Sequence, residues 1–325
     1  MMDLTVPEKL IRFIESHTKF IICGHREPDG DCLGSQLALS RFLELQQKDT
    51  ICISPGPFNR PETELLEPLF ATYIPEQFRE AGTAVIITDC STIERTGDFK
   101  EILAPYPSAV IDHHSSGEDF GDARYIVPRA ASTTMLIYQM FLEAGCTPDE
   151  QTAEYMLFGI ATDTGFFRHV GTGAHEVFTT TADLVQAGAS PNEIHRKIFG
   201  SRTLASRQLL GSLLSRAESH YNGKLLVTYQ TLEDIEKYGK YNKDSDTLYM
   251  LLQGIKGVEV VALIREEDET ECSVGLRSNY DVDVGNLAQK NGGGGHRKAA
   301  GFNYYGQREE LTDKVVSQLD FLQDV

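Results

Sequence analysis

The chain has 325 residues and a formal net charge of −18, from 48 acidic and 30 basic side chains. Long nucleic acids are bound by neutralising many phosphates with Lys and Arg, so this charge balance argues against a binder of long DNA or RNA. The hydrophobic content of 41% is ordinary for a globular protein, and no uncharged apolar run reaches the ~18 residues of a membrane-spanning helix.

The N-terminal segment MMDLTVPEKLIRFIES is charged and helix-like. It lacks the apolar core and the small-residue cleavage site of a secretory signal. The six cysteines form no C-x-x-C pair and no dense disulfide framework, which indicates reduced thiols. We therefore expect a cytoplasmic protein without a membrane partner.

The first half of the chain alternates short apolar runs with helical patterns. Strands are predicted at KFIIC (19–23), 51–54, AVIIT (84–88) and SAVI (108–111), with a helix at 32–45. Further helices are predicted at 132–145, 152–162, 183–188 and 192–216. This alternation predicts an α/β domain with a mostly parallel sheet and helices on both faces.

The second half begins with KLLVTYQ at 224–230, and strands are predicted at 258–265 and 272–277. The acidic EEDET between the last two strands predicts a hairpin. The stretch Val284–Lys290 and a glycine run follow. We predict a smaller mixed α+β domain at 222–325, joined to a first domain at 1–190 by a helical linker at 191–221.

Acidic and histidine side chains follow the predicted strands of the first half. The loop GHREPDGDCLGS after the first strand carries His25, Asp29 and Asp31, in a spacing that lets three side chains converge. The third strand runs into Asp89, and the fourth into the triplet Asp112-His113-His114. Because ligands in open α/β sheets bind outside the carboxyl ends of the strands, we expect these groups to share one crevice.

A fourth aspartate outside the triplet, Asp163, follows a helix in GIATDTGFF. Four aspartates packed together would repel one another, and two divalent ions would balance their charge. Mixed imidazole and carboxylate ligands suit Mn²⁺, Fe²⁺, Co²⁺ or Zn²⁺ better than Ca²⁺. No thiolate set accompanies them, which argues against a structural zinc site.

These motifs resemble those of the DHH phosphoesterases, named for the triplet present here as Asp112-His113-His114. HREPDGD, TDCS, IDHH and ATDTGFF resemble that family's first to fourth motifs. The resemblance implies that Asp112 holds the triplet in place and that His114 faces the substrate phosphate. It also implies six metal ligands: His25, Asp29, Asp31, Asp89, His113 and Asp163.

The second half carries the stretch GLRSNYDVDVGNLAQKNGGGGHRKAAG. A glycine-rich backbone can approach an anion closely, and consecutive N–H groups can bind it. The stretch resembles the DHH-associated domain, which binds the nucleotide end of the substrate in that family. The resemblance implies that the substrate is bound by His114, Arg277, Ser278, Gly293, Gly294, Gly295 and His296.

The resemblance covers nearly the whole chain and favours one branch of the family. Family II pyrophosphatases lack GGGGH, RecJ-type exonucleases add an oligonucleotide-binding barrel, and membrane-bound cyclic dinucleotide phosphodiesterases carry additional N-terminal segments. The two-domain form resembles the nanoRNases. These enzymes cleave the shortest RNAs and also remove the 3′-phosphate of 3′-phosphoadenosine 5′-phosphate. We therefore expect short oligoribonucleotides of two to five residues, or small nucleotides, as substrates.

The expected mechanism is two-metal hydrolysis, in which ions roughly 3.5–4 Å apart activate a water for in-line attack on phosphorus. Mn²⁺ is the expected metal, with Mg²⁺, Co²⁺ and Fe²⁺ as alternatives, and Asp89 and His114 are the expected catalytic residues. The second domain is expected to clamp the remote part of the substrate and so to limit its length. Two alternatives stay open: a phosphodiesterase for dinucleotide messengers such as c-di-AMP, pApA or pGpG, and a non-catalytic nucleotide sensor.

Overall fold

The computed structural model describes residues 4–200, 202–240 and 242–323. The chain divides into two compact units, Met1–Ser201 and Arg202–Val325. The segment 191–221, predicted as a linker, is shared between them, with one helix in each unit. Within the described residues, no helix has both the length and the apolar character needed to cross a membrane.

The first unit contains a five-stranded sheet and eight helices within its described residues. Its strands are β1 (Lys19–Cys23), β2 (Asp49–Ile53), β3 (Thr83–Thr88), β4 (Ser108–Asp112) and β5 (Ala123–Ile126). Its helices are α1 (Glu8–Glu15), α2 (Gly30–Leu45), α3 (Pro61–Glu64), α4 (Phe99–Leu103), α5 (Thr133–Glu143), α6 (Glu150–Asp163), α7 (His175–Gln186) and α8 (Pro191–Phe199).

The sheet of the first unit is parallel throughout, in the order β2-β1-β3-β4-β5. Alternate residues of its strands enter two separate cores, because successive side chains of a strand point to opposite faces. Phe20 and Ile22 join the core that contains α2, α5 and α6, whereas Ile21 and Cys23 join the core that contains α4. The predicted parallel sheet, covered on both faces, is thus confirmed.

Helices α2 and α6 pack closely because α2 carries glycines on the face that meets α6. A Cβ atom at Gly34 would overlap the backbone carbonyl oxygen of Tyr155. Asp29 caps α2 by accepting a hydrogen bond from the Cys32 N–H at 3.1 Å, and Asp149 caps α6 from Thr152 at 2.9 Å. The start of α2 therefore lies beside α6.

Three local predictions were wrong. Asp31 lies in the first turn of α2 and not in a loop, because the Asp29 cap starts the helix at Gly30. The single helix predicted at 192–216 is two helices, with α8 ending at Phe199 before Gly200. Strand β5 was not predicted, since ARYI has only four residues and is exposed at one of them.

The second unit is built on a six-stranded mixed sheet. Its strands are β6 (Glu218–His220), β7 (Leu225–Gln230), β8 (Val260–Glu266), β9 (Glu271–Ser278), β10 (Gly294–His296) and β11 (Ala299–Tyr305), in the order β10-β11-β9-β8-β7-β6. Its helices are α9 (Leu204–Ser215), α10 (Leu232–Tyr238), α11 (Ser245–Gln253), α12 (Val284–Lys290) and α13 (Arg308–Gln318). Strands β7 and β8 are parallel and the other pairs antiparallel, so the predicted mixed domain is confirmed.

The glycine run is more ordered than its composition suggests. Gly294–His296 forms β10, which pairs with β11 as an antiparallel hairpin. A Cβ atom at Gly293 would overlap the carbonyl oxygen of Gly301, so only glycine allows this close approach of the two segments. The run therefore ends in the edge strand of the sheet, next to β11.

Candidate metal centre

The acidic and histidine residues singled out in the first unit meet at the carboxyl ends of its central strands. His25 follows β1, Asp89 follows β3 directly, and Asp112 is the last residue of β4. Helix α2 contributes Asp31 from its first turn, and α6 contributes Asp163 as its last residue. The sheet topology thus brings together segments that are far apart in the chain.

A first group of donors is formed by His25, Asp29 and Asp89. The His25 Nε2 atom lies 3.8 Å from Asp29 Oδ2 and 3.6 Å from Asp89 Oδ2. The His25 Nδ1–H donates to the Arg26 carbonyl oxygen at 2.8 Å. This bond fixes the ring, and it leaves Nε2 to face the two carboxylates.

A second group is formed by Asp31, His113 and Asp163, which offer ligand atoms within 4.8 Å of one another. The His113 Nε2 atom lies 3.0 Å from Asp163 Oδ2. Its Nδ1–H donates to the Ala130 carbonyl oxygen at 3.1 Å. A backbone carbonyl oxygen therefore fixes the ring of His113, as another one fixes the ring of His25.

Asp89 belongs to both groups. Its Oδ2 atom is the one near His25, whereas its Oδ1 atom lies 3.5 Å from His113 Nε2. The side chain is buried, and the Thr133 hydroxyl donates to Oδ1 at 3.1 Å. Its backbone has φ +54°, a left-handed conformation that few residues other than glycine and Asp or Asn adopt. This conformation turns the carboxylate into the centre of the cluster.

Helix α5 begins against the cluster and holds Asp31. The N–H groups of Thr133 and Thr134 donate to Asp31 at 2.6 and 3.0 Å, and the Thr134 hydroxyl donates to the same carboxylate. Both oxygens of this fully buried carboxylate are therefore satisfied. These threonines were not predicted as site residues, although STT before an apolar run is a helix-start pattern that could have marked them.

Asp112 organises the triplet through one of its carboxylate oxygens. Its Oδ1 atom accepts hydrogen bonds from the His113 N–H at 2.8 Å, the His114 N–H at 3.2 Å and the His114 Nδ1–H at 2.7 Å. Because Nδ1 of His114 is bound in this way, its Nε2 atom is the one available to another group. The His114 side chain is 33% exposed, so a ligand can reach it.

Charges in the cluster perturb one another strongly. Burial raises the pKa of Asp31 well above its usual value, and the nearby carboxylates Asp163 and Asp89 raise it further. Burial lowers the pKa of His113, but its hydrogen bond with Asp163 and the surrounding carboxylates outweigh this effect and raise it to about 10. Buried carboxylates that repel one another and histidines that attract protons form an environment suited to a cation.

The donor set fits divalent metal ions. Carboxylate oxygens and imidazole nitrogens are the ligands that Mn²⁺ and related ions use, and their orientation by neighbouring backbone groups is typical of metal sites. Cys32 Sγ also lies within 4.8 Å of ligand atoms of His25 and Asp89. Burial raises the pKa of this thiol well above its usual value, and Gln36 Nε2 donates to Sγ at 3.5 Å, so we regard Cys32 as a packing residue.

The residues expected to bind substrate in the second unit are divided between two faces of β9. Arg277 is partly exposed, and its guanidinium carbon lies 4.5 Å from the centre of the Tyr249 ring. Ser278 is buried on the opposite face, and its hydroxyl donates to Glu259 at 3.4 Å. Gly293–Gly295 line open pockets, and His296 is exposed at the end of β10.

Family models match both halves of the chain. The model described as the DHH family N-terminal domain matches residues 19–160, and that of the DHHA1 domain matches residues 222–320. A bifunctional oligoribonuclease and PAP phosphatase NrnA from Thermus thermophilus is 30% identical over 286 residues, which cover 86% of this chain and 82% of that protein. The chain belongs to the DHH family.

Two further DHH relatives match almost their full length. The bifunctional oligoribonuclease and PAP phosphatase NrnA of Bacillus subtilis is 28% identical over 323 residues, covering 97% of each chain. The crystal structure of an exopolyphosphatase-related protein from Bacteroides fragilis superposes with a TM-score of 0.84 and 25% identity, covering 97% of this chain and 96% of that one. The likeness thus includes both units.

In this DHH protein, the structure brings together all six side chains that the motifs single out as ligands, with Asp112 and His114 at the edge of the cluster. The partners that orient them, namely Thr133, Thr134 and the carbonyl oxygens of Arg26 and Ala130, come from the structure alone. Ser278, which was expected to bind substrate, has its side chain on the face of β9 opposite to that of Arg277.

Proposed function

We propose that the chain is a metal-dependent phosphoesterase that hydrolyses RNAs of about two to five nucleotides and 3′-phosphoadenosine 5′-phosphate. The observation that carries the proposal is the cluster of buried carboxylates and backbone-oriented histidines at the carboxyl ends of β1, β3 and β4. The near full-length likeness to proteins named as oligoribonucleases and PAP phosphatases supports this substrate class.

Two divalent ions, with Mn²⁺ as the preferred metal, fit the two donor groups. His25 and Asp29 would hold one ion, and Asp31, His113 and Asp163 would hold the other. Asp89 would contribute to both sets, since its two oxygens face different histidines. Such ions would supply Lewis-acid polarisation of the phosphoryl group and activation of a water.

His114 would act on the substrate and not on the metal. Its hydrogen bond with Asp112 raises its pKa, because the carboxylate stabilises the protonated ring. A protonated imidazole donates from both nitrogens, so Nε2 can donate to a phosphoryl oxygen while Nδ1 donates to Asp112. Charge that develops on the phosphoryl oxygens in the transition state would be stabilised by this donor.

The second unit would bind the part of the substrate that lies beyond the scissile phosphate. Arg277 offers a charged donor, His296 an exposed ring, and Gly293–Gly295 a backbone that an anion can approach. Few basic residues are needed for a substrate with few phosphates, which agrees with the net charge of −18.

A substrate panel with Mn²⁺ tests this function. We expect turnover of di- to pentanucleotide RNA and of 3′-phosphoadenosine 5′-phosphate, and little turnover of a 24-nucleotide RNA, cyclic dinucleotides or pyrophosphate. Asp89→Asn, which keeps the size of the side chain, serves as the inactive control. Preferred cleavage of cyclic dinucleotides would indicate a messenger phosphodiesterase, and metal-dependent binding without turnover would indicate a sensor.

A further inference from the structure

The two carboxylate oxygens of Asp31 are held differently. Oδ1 accepts two hydrogen bonds from Thr134, one from its N–H at 3.0 Å and one from its hydroxyl. Oδ2 accepts one hydrogen bond, from the Thr133 N–H at 2.6 Å. Because a carboxylate oxygen has two lone pairs, Oδ1 has none left for a metal ion, whereas Oδ2 keeps one.

The packing around Oδ1 closes it off as well. A Cβ atom at Gly159 would be 2.8 Å from this oxygen and would overlap the Thr134 hydroxyl, so the backbone of α6 lies directly against both groups. Asp31 and Thr134 are fully buried. An ion could reach Oδ1 only by displacing the hydroxyl or the helix. Oδ2 is therefore the oxygen that Asp31 can offer as a ligand.

Asp89 has the opposite arrangement, although it is also buried. Its Oδ2 atom lies 3.6 Å from His25 Nε2, and its Oδ1 atom lies 3.5 Å from His113 Nε2, so both oxygens face other candidate ligands. The single hydrogen bond from the Thr133 hydroxyl leaves one lone pair on Oδ1. Burial alone therefore does not restrict Asp31 to one oxygen, and the two hydrogen bonds from Thr134 do.

The number of oxygens that a carboxylate offers affects which ion it binds. Ca²⁺ takes about six to eight oxygen ligands and often uses both oxygens of one carboxylate. Smaller divalent ions take about six ligands in a stricter geometry, to which a carboxylate can contribute a single oxygen. A carboxylate that offers only Oδ2 therefore disfavours Ca²⁺, in addition to the disfavour that comes from the imidazole ligands.

We propose that the Thr134 hydroxyl makes the metal centre selective for Mn²⁺ and ions of similar size over Ca²⁺, because it keeps one oxygen of Asp31 out of the centre. This inference rests on the metal-dependent function proposed above. Thr134 acts through Asp31 and does not itself bind the ion, so it is a positioning residue. Without the hydroxyl, the carboxylate is free to turn and to offer both oxygens to a larger ion.

Calorimetric titration of the metal-stripped, full-length protein with MnCl₂ and with CaCl₂ tests this inference. Loss of a group that orients a metal ligand typically weakens metal binding by about 10- to 100-fold. We expect Thr134→Ala to weaken Mn²⁺ binding by about tenfold or more, and to leave Ca²⁺ binding as tight as in the wild type or tighter. Thr134→Val, which keeps the shape of the side chain and lacks the donor, should shift the ratio of the two affinities in the same direction.

Two control variants separate selectivity from a general loss of stability. Thr134→Ser keeps the hydroxyl and should keep the wild-type ratio within about threefold. Thr152→Ala removes a matching hydroxyl at the start of α6, where the Thr152 N–H and hydroxyl both donate to Asp149 Oδ1, at 2.9 and 2.6 Å. Thr152 is also buried, so its substitution should lower the melting temperature as Thr134→Ala does, and should leave both metal affinities unchanged.

The outcomes separate this inference from the proposed function. An unchanged ratio in Thr134→Ala and Thr134→Val, an equal loss of affinity for both ions, or an equally low ratio in Thr134→Ser would overturn the selectivity role. The proposed function would survive any of these results if the wild type hydrolyses dinucleotides with Mn²⁺. A wild type that binds neither ion would contradict both the proposed function and the selectivity role.

Discussion

Gly159 of α6 lies so close to Asp31 that a Cβ atom added to it would be 2.8 Å from the carboxylate Oδ1. The same atom would overlap the hydroxyl of Thr134, which is hydrogen-bonded to Asp31. Because Gly159 has no side chain, α6 leaves room for Asp31, a candidate metal ligand, and for Thr134.

Gly159→Ala should be destabilising, although alanine normally favours a helix. We expect overpacking to lower the free energy of unfolding by about 1–3 kcal/mol and to weaken metal binding by displacing Asp31. Gly211→Ala in α9 is the matched control, because no atom lies within 4 Å of its added Cβ. It should stabilise the protein by about 0.5–1 kcal/mol. Thermal unfolding and metal titration of both variants measure these effects. If both substitutions changed the free energy of unfolding in the same direction, the steric explanation would be contradicted.

Asp89→Ala should abolish turnover and lower the metal content, because this carboxylate faces both donor groups. Metal analysis after gel filtration and hydrolysis of a dinucleotide are the measurements. Asp119→Asn, at a carboxylate that is 87% exposed, is the control and should change neither. If Asp89→Ala keeps about a tenth of the activity with a full metal complement, the centre has been assigned to the wrong place.

Substitution of His113 should remove metal, whereas substitution of His114 should remove only activity. His113→Ala should lose metal, since its Nε2 atom faces Asp89 and Asp163. His114→Ala should keep metal and lose activity by about a hundredfold or more, as expected when a donor to the transition state is removed. Metal content and kcat are measured on the same preparations. Loss of metal in His114→Ala would mean that the two roles are exchanged.

Metal binding should release protons. Without metal, His113 has a pKa of about 10 and is protonated at pH 7, whereas a metal ligand must be a neutral imidazole. Affinity for Mn²⁺ should therefore rise with pH up to about pH 10. Calorimetric titrations in two buffers with different ionisation enthalpies measure the released protons. The control His175→Ala, at an exposed position, should release as many protons as the wild type.

Substrate length should limit turnover. Rates should fall as RNA grows beyond about five nucleotides, because the low content of basic residues gives little help in holding additional phosphates. His296→Ala should raise KM for dinucleotides, and its effect on the small ester bis-p-nitrophenyl phosphate should be much smaller. Efficient cleavage of a 24-nucleotide RNA, or equal losses on both substrates, would contradict the role assigned to His296.

The order of strands and helices could be read from the sequence because periodicity and helix-start residues are local properties. KFIIC and SAVI were placed within one residue of β1 and β4, and their following acids and histidines indicated where a site would form. The motifs identified the candidate ligands for the same reason. A metal site needs carboxylates and histidines, and these residues follow the strands directly in the sequence.

Only the tertiary structure decided how those side chains are held and which oxygen faces which partner. Thr134 donates to Asp31 across 103 positions in the chain, and Gly159 makes room for both. Likewise, Tyr249 and Arg265 meet at Gly275 because a helix packs on two strands of the sheet. Such contacts depend on how separate segments pack against each other. Local periodicity and spacing therefore carry no information about them.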